Sequence, residues 1–390
     1  MQTGTNHRAG QCGGPLYHFL SRIGLIKSPL GRIGRRMLVI ALITWAPLVV
    51  LAALSGCLMS GVRIPFLYDI DTQIRLLVFL PLLVSAESAF NKEIRILVPQ
   101  FVEQQIIMPA QLPEFESCVE SAARLKNSAA AETGLLALVV LVGIVMWRGL
   151  LGVHTGTWYT AASGVNLSLS PAGYWYVFVS LPIVEFICLR WYFRLFIWAR
   201  LLWQVSRTDL NLVASHPDRH CGLGFLEHIV KGVAPFIVAH SILVSGFVAN
   251  GILHEGMKLP HFGMQIGAMA VFLLLLAIGP LFVFTPKLIE RSKTASYAYG
   301  SLASEYVNEF DKKWILGLHP DSERLIGTAD IQSLADLANS FNVIQHIVPV
   351  PFGKETVLYL ISLIAIPLLP LLFTMFSIRE LAEGLLKVLF

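Results

Sequence analysis

Two carboxylates stand in unusual company in this chain. Glu87 and Glu185 lie inside apolar stretches, LPLLVSAE and LPIVE, each a few residues after a proline, Pro81 and Pro182. If these stretches cross a bilayer, an ionisable group within them is costly and marks a functional site by default. At ~1.5 Å of rise per residue both fall roughly 16–20 Å from the outer boundary, near the middle of the membrane. A third stretch adds His240 and Asn250, with Ser241, Ser245 and Gly246 between them. Glu87, Glu185, His240 and Asn250 form a candidate transport path, in which His240 would titrate near neutral pH. The plainer alternatives are that Glu185 pairs with Arg190 or Arg194, that either glutamate is protonated between helices, and that the Ser and Gly positions serve tight helix packing.

Arg190 and Arg194 are one helical turn apart in CLRWYFRLFIWARLLW, with Arg200 farther on. Arginines among tryptophans usually snorkel to lipid phosphates. The sharper reading is an anion site or lipid-headgroup pocket of Arg190, Arg194 and Arg200. A third group is DLNLVASHPDRHCGLGFLEH, where His216, Asp218, His220 and His228, with Cys221 among them, gather metal-capable side chains. Their spacing matches no closed zinc site, and Pro217 keeps His216 and His220 off one regular helical face. A metal site and a plain turn, with Pro217 and Asp218 at the bend and a helix opening near Leu223, are both open.

The elements that must position these groups follow from composition. Of the residues, 55% are hydrophobic and only 14% charged, with a mean hydropathy of +0.67; soluble domains carry roughly 25% charged residues. Apolar runs at 37–59, 74–90, 134–151, 174–200, 233–253, 263–285 and 355–376 approach the ~20 residues that span a bilayer as helix. The chain therefore reads as an all-α integral membrane protein of about seven transmembrane helices with cytoplasmic helical extensions. The second run is the weakest, being short and holding Pro81 and Glu87. Loop charge supports it: 91–133, 201–232 and 286–354 are rich in Lys and Arg, whereas 60–73, 152–173 and 254–262 hold only Arg63 and Lys258. Dropping 74–90 would invert that alternation. By the positive-inside pattern the N-terminus is cytoplasmic.

The organisation is then a basic cytoplasmic segment at 1–36, whose cations are Arg8, Arg22, Lys27, Arg32, Arg35 and Arg36 with no carboxylate, spans one and two within 37–90, and a cytoplasmic helical segment at 91–133, interrupted by Pro99, Pro109 and Pro113. Spans three to six follow within 134–286, with the loop 201–232. A cytoplasmic helical region at 287–354 continues the sixth span and ends in a short helix, DIQSLADLANSF. Residues 355–390 hold a seventh span, or a re-entrant hairpin broken at Pro367 and Pro370, and an amphipathic end at 377–390. The five scattered cysteines suit free thiols rather than a disulfide framework. A second His-Pro-Asp at His319, Pro320 and Asp321 has unmatched flanks and reads as a similar turn.

SHPDRHCGLGFL, with WARLLWQVSRTDLNLV upstream and ADIQSLADLANSF and VPVPF downstream, resembles a family of uncharacterised bacterial polytopic inner-membrane proteins over about the second half of the chain. Cys221 stands where that family suggests a small residue. The resemblance implies a multi-pass bacterial inner-membrane location and no activity. The first functional expectation is a channel or secondary transporter for an ion, proton or small solute, assembled as a homo-oligomer in contact with membrane lipids. The alternative is a scaffold or sensor that binds a cytoplasmic protein through its helical extensions. A membrane-embedded metal-dependent enzyme comes third, since HExxH, GxSxG and paired histidine boxes are all missing and no catalytic residue can be named. No Gly-rich phosphate loop occurs, and neither a cofactor nor nucleic acid is expected.

Overall fold

A computed structural model describes residues 33–153, 156–163, 166–318, 325 and 328–375. The basic segment up to residue 32, the second His-Pro-Asp and the amphipathic end at 377–390 lie outside the described residues. Within them the chain is all-α apart from one small hairpin. Helix α1 is Ile33–Leu54, α2 Ile70–Glu103, α3 Leu112–Lys126, α4 Ala129–Val153, α5 Pro171–Val205, α6 Gly224–Glu255, α7 Leu259–Ile315, α8 Asp330–Gln345 and α9 Lys354–Thr374. Six of them are long and apolar enough to cross a membrane, or seven if the pair Pro109–Lys126 and Ala129–Gly143, bent by 46°, is one span. Such helices satisfy every backbone polar group internally, which an apolar solvent demands.

The weak second stretch is longer than its hydropathy predicts. Asp69 caps α2, its carboxylate accepting the Thr72 N–H at 3.3 Å and the Thr72 hydroxyl at 2.7 Å. The helix therefore begins ahead of the apolar run. It also continues through Pro99, where the sequence suggests an interruption. α2 and α5 share a construction: a capped α-turn, a five-residue π segment (Arg75–Phe79 and Tyr176–Ser180), then Leu-Pro and a long α-helix. A proline ring collides with the carbonyl four residues back, and a widened turn relieves that collision.

α2 packs most extensively against α6. Small residues allow the approach: a Cβ on Gly246 would stand 2.8 Å from Ile74 Cδ1, and one on Gly232 3.1 Å from Phe90 Cα. The shared core is Leu76, Phe79, Leu80 and Leu83 of α2, Trp191, Leu195 and Leu202 of α5, and Val233, Phe236 and Ile237 of α6. The Trp191 indole donates to the Leu83 carbonyl at 2.8 Å, and the Ser180 hydroxyl to the Thr44 carbonyl of α1 at 2.7 Å. In α9 the proline pair is absorbed without reversal. The helix tightens to 3₁₀ at Ile366–Thr374, Pro367 has no N–H to offer one turn on, and the Ser241 hydroxyl of α6 donates to the Ile364 carbonyl instead, at 2.5 Å.

At one end of the bundle the uncharged loop after α4 forms a two-stranded antiparallel hairpin, β1 (Thr160–Ser163) with β2 (Asn166–Leu169), which the composition of that loop does not suggest. The fully buried Trp158 donates its indole N–H to Asp69 Oδ2 at 2.9 Å, tying this hairpin end to the start of α2. At the opposite, basic end, α7 continues beyond the bundle. Its 57 residues would measure roughly 85 Å if straight. α8 returns along the extension, fastened where Lys313 Nζ and the Trp314 indole each meet Asp330 Oδ2 at 2.9 Å.

Candidate functional site

The densest gathering of charge lies at the basic end between α1, α2, α3 and α5. Glu87 pairs with Arg194 of α5 and, at 3.7 Å, with Arg36 near the start of α1. Because α2 starts at Ile70, Glu87 is ~25 Å along the helix, level with the first turn of α1. Its side chain is 25% exposed, that of Arg194 only 8%. The Arg194 guanidinium also lies 5.7 Å from the Trp191 ring centroid. Arg190, one turn earlier, and Lys126, at the end of α3, share the field of this pair, with Arg95 beside Lys126 and Glu132 beside Arg190. The cations Arg36, Arg95, Lys126, Arg190 and Arg194 thus outnumber the carboxylates Glu87 and Glu132. Arg194 Nη1 is buried and has no hydrogen-bond acceptor. Half-buried positive charge in excess, with an unpaired guanidinium nitrogen, is what an anion satisfies.

The remaining path residues do not join Glu87. Glu185 lies on α5 nine residues before Arg194, ~13 Å along the axis, so the two carboxylates do not face one another. Glu185, Cys188 and Tyr192 share one face of α5. His240 of α6 meets that face, with Nε2 3.0 Å from the Tyr192 hydroxyl and 3.8 Å from Cys188 Sγ. Its Nδ1 is 2.9 Å from the Phe236 carbonyl, and only an N–H can serve that acceptor, which leaves Nε2 to accept from Tyr192. Phe79 meets the ring edge-on, with centroids 5.2 Å apart. Nearer the hairpin end, Arg75 pairs with Asp71 at 2.5 Å in the field of Glu185 and Tyr176. Asp71 Oδ1, Arg75 Nε, Glu185 Oε2 and Asn250 Oδ1 are buried polar atoms with no partner. Asn250 lies one turn beyond Gly246 on α6, toward that end.

Arg200 separates from Arg190 and Arg194. It donates to Ser121 Oγ of α3 at 3.1 Å, on the outward side of α5.

Of His216, Asp218, His220 and His228, the geometry brings only the first three into one turn. Asp218 turns its carboxylate inward, accepting the N–H groups of His220 at 2.8 Å, Gly222 at 3.2 Å and Gly224 at 3.0 Å, with His216 Nδ1 2.8 Å away. Burial pushes this carboxyl up, but the three N–H groups and His216 outweigh it and hold Asp218 below the ordinary carboxylate range. The wrap forces Arg219 and Cys221 into left-handed backbone, with φ of 59° and 55°. His228 lies apart, its Nδ1 3.2 Å from the Phe225 carbonyl. Among the described residues no group of three or more His, Cys, Asp or Glu is arranged to hold a metal ion. Cys221 is fully buried, and burial pushes its thiol up to about 11.

The turn acts as a clasp instead. Its Arg219 carbonyl accepts the Val348 N–H at 2.9 Å, and Glu227 just beyond accepts the Thr356 hydroxyl at 2.9 Å. Arg291 Nε donates to the Leu212 carbonyl at 2.8 Å and Lys287 to that of Thr208. The α7–α8 arm and the start of α9 are so fixed to the bundle.

Sequence reading assigned Arg36, Lys126, Asp71 and Arg75 to no site. For Arg75 a signal existed, since it is an ionisable residue within the 74–90 run. For Arg36 and Lys126 none did, because terminal basic residues look alike until helices are packed. The chain matches no protein-family model, no curated protein and no solved structure.

Proposed function

We propose that this chain is a multi-pass transporter or channel for a small anion, working as a homo-oligomer in a bacterial inner membrane with its N-terminus in the cytoplasm. The observation that carries the reading is the partnerless, buried Arg194 guanidinium nitrogen within a cluster where cations exceed carboxylates. In this reading the cluster draws an anion to the basic end, and Arg190 and Arg194 take over its hydration. Onward support comes from the polar groups Tyr192, His240, Cys188, Glu185 and Arg75, which line an otherwise apolar interior. Glu87 then serves to hold Arg194 in place rather than to carry the solute. The alternation of loops rich in Lys and Arg with loops that hold only Arg63 and Lys258 among them supports the orientation.

The test is a reversal-potential measurement on the reconstituted protein across a salt gradient. Anion selectivity, weakened about tenfold in conductance by Arg190→Ala (~1.4 kcal/mol at the site), is expected. Cation selectivity, or flux indifferent to Arg190, overturns the proposal.

A second reading, a scaffold for a cytoplasmic protein, is favoured by one observation. The projecting arm exposes Tyr297, Leu302, Ile315 and Leu316 to solvent. Removing the arm would leave flux intact if it serves a partner and abolish it if it belongs to the transport machinery.

A further inference from the structure

A groove between α5 and α7 runs along the outside of the bundle toward its basic end. It has a volume of about 620 Å³ and is walled by Tyr192, Leu195, Phe196, Ala199, Leu275 and Val283. The stretch Gly279–Pro280, where α7 passes into 3₁₀, contributes small side chains to its floor. At its basic end the groove meets a second hollow of about 520 Å³, lined by Ser121, Arg124, Leu125, Ser128, Phe196 and Arg200. Phe196 and Arg200 line both, so the two adjoin. The lining of the second hollow contains two guanidinium groups and two hydroxyls and no carboxylate. That of the first is apolar except for Arg200, the Tyr192 hydroxyl and the Trp203 indole.

The geometry points to one occupant, an anionic phospholipid. Its phosphodiester sits on Arg124 and Arg200, with the hydroxyls of Ser121 and Ser128 as further donors, and one acyl chain lies along α5 toward Leu275. Charge complementarity selects the headgroup, since guanidinium pairs with phosphate by two parallel hydrogen bonds and basic hollows between helices suit anionic lipids. The half-exposed Trp203 and Phe196 beside Arg200 form the aromatic rim expected where headgroups meet hydrocarbon. This site is separate from the Glu87 cluster, because Arg200 reaches outward to Ser121 whereas Arg194 reaches inward to Glu87. The proposal rests on the chain spanning a membrane, not on the transport reading.

The test uses full-length protein extracted from vesicles containing equal amounts of phosphatidylglycerol and phosphatidylcholine, with retained lipid counted by native mass spectrometry. Wild type should keep one phosphatidylglycerol with at least ~tenfold preference. Arg124→Ala and Arg200→Ala should each lower retention about tenfold, Arg200→Lys should retain part of it, and Ala199→Trp should expel the chain while leaving the charges in place. Anion flux measured on Arg124→Ala separates this site from transport, since flux should persist while lipid is lost. Retention unchanged by both Arg124→Ala and Ala199→Trp overturns the proposal. So does equal retention of phosphatidylcholine, displacement by inorganic phosphate alone, or a dimer that carries no lipid.

Discussion

Replacing Glu87 by Gln tests the basic cluster most directly. The substitution keeps shape and removes the charge that holds Arg36 and Arg194. At an effective dielectric of about 20, unit charges ~4 Å apart attract by roughly 4 kcal/mol before desolvation is counted, and Glu87 makes two such contacts. Breaking a buried pair from one side typically costs ~3–5 kcal/mol, because the remaining charge stays buried and uncompensated. A quarter of the Glu87 side chain is exposed, which places the expected loss near ~3 kcal/mol, the low end of that range. The converse change, Arg194→Gln, leaves Glu87 paired with Arg36 at 3.7 Å and relieves repulsion from Arg190. It should cost less, about 1–2 kcal/mol, and the double variant should fall short of the sum by ~1–3 kcal/mol. Reversible unfolding in mixed detergent micelles reads all three. Sulfate should stabilise Glu87→Gln more than wild type, since it supplies the missing negative charge. The reasoning fails if Glu87→Gln is no more damaging than Arg194→Gln, or if the two effects simply add.

Three further outcomes can be checked. Asp218→Ala should destabilise by ~2–3 kcal/mol, because three backbone N–H groups lose a charged acceptor. The folded carboxyl lies below its ordinary 3.8, so this stabilisation is complete above about pH 4 and is lost as pH falls through the lower folded value; the two unfolding curves should converge only in that acid range. Cys221, fully buried with its thiol pushed up to about 11, should resist maleimide at pH 7.5 (~0.1% or less thiolate) and label fully in denaturant; fast labelling of folded protein would contradict the clasp. Gly246→Leu should cost ~1–3 kcal/mol through collision with Ile74, and Ile74→Ala should recover part of the loss, as overpacking predicts.

Each apolar run overlaps a helix of the structure, because an apolar stretch of ~20 residues is a local property of the chain. The continuation of the sixth span into a charged helix and the short helix at DIQSLADLANSF were legible for the same reason. The true start of α2 was not, since it depends on Asp69 capping Thr72 while held by a tryptophan from a distant loop. The hairpin after α4 was equally hidden, because its strands are short and lack charge.

At the candidate site, the sequence by itself flagged Glu87, Glu185 and His240 as ionisable groups within apolar stretches and Arg194 as one of a row of arginines, for the cost of an ionisable side chain among apolar ones is a property of its neighbours in the chain. Which group meets which was decided by packing alone. Two carboxylates that seemed level from residue counting are not: Glu87 is gripped by arginines from two helices, and Glu185, near Arg75, stands ~13 Å along α5 from the Arg194 that holds Glu87. The His216–His228 cluster shows the same limit from the other side. Its residue types suit a metal, but whether a carboxylate faces outward to an ion or inward to three backbone N–H groups is fixed by backbone angles at Arg219 and Cys221 that no spacing rule encodes.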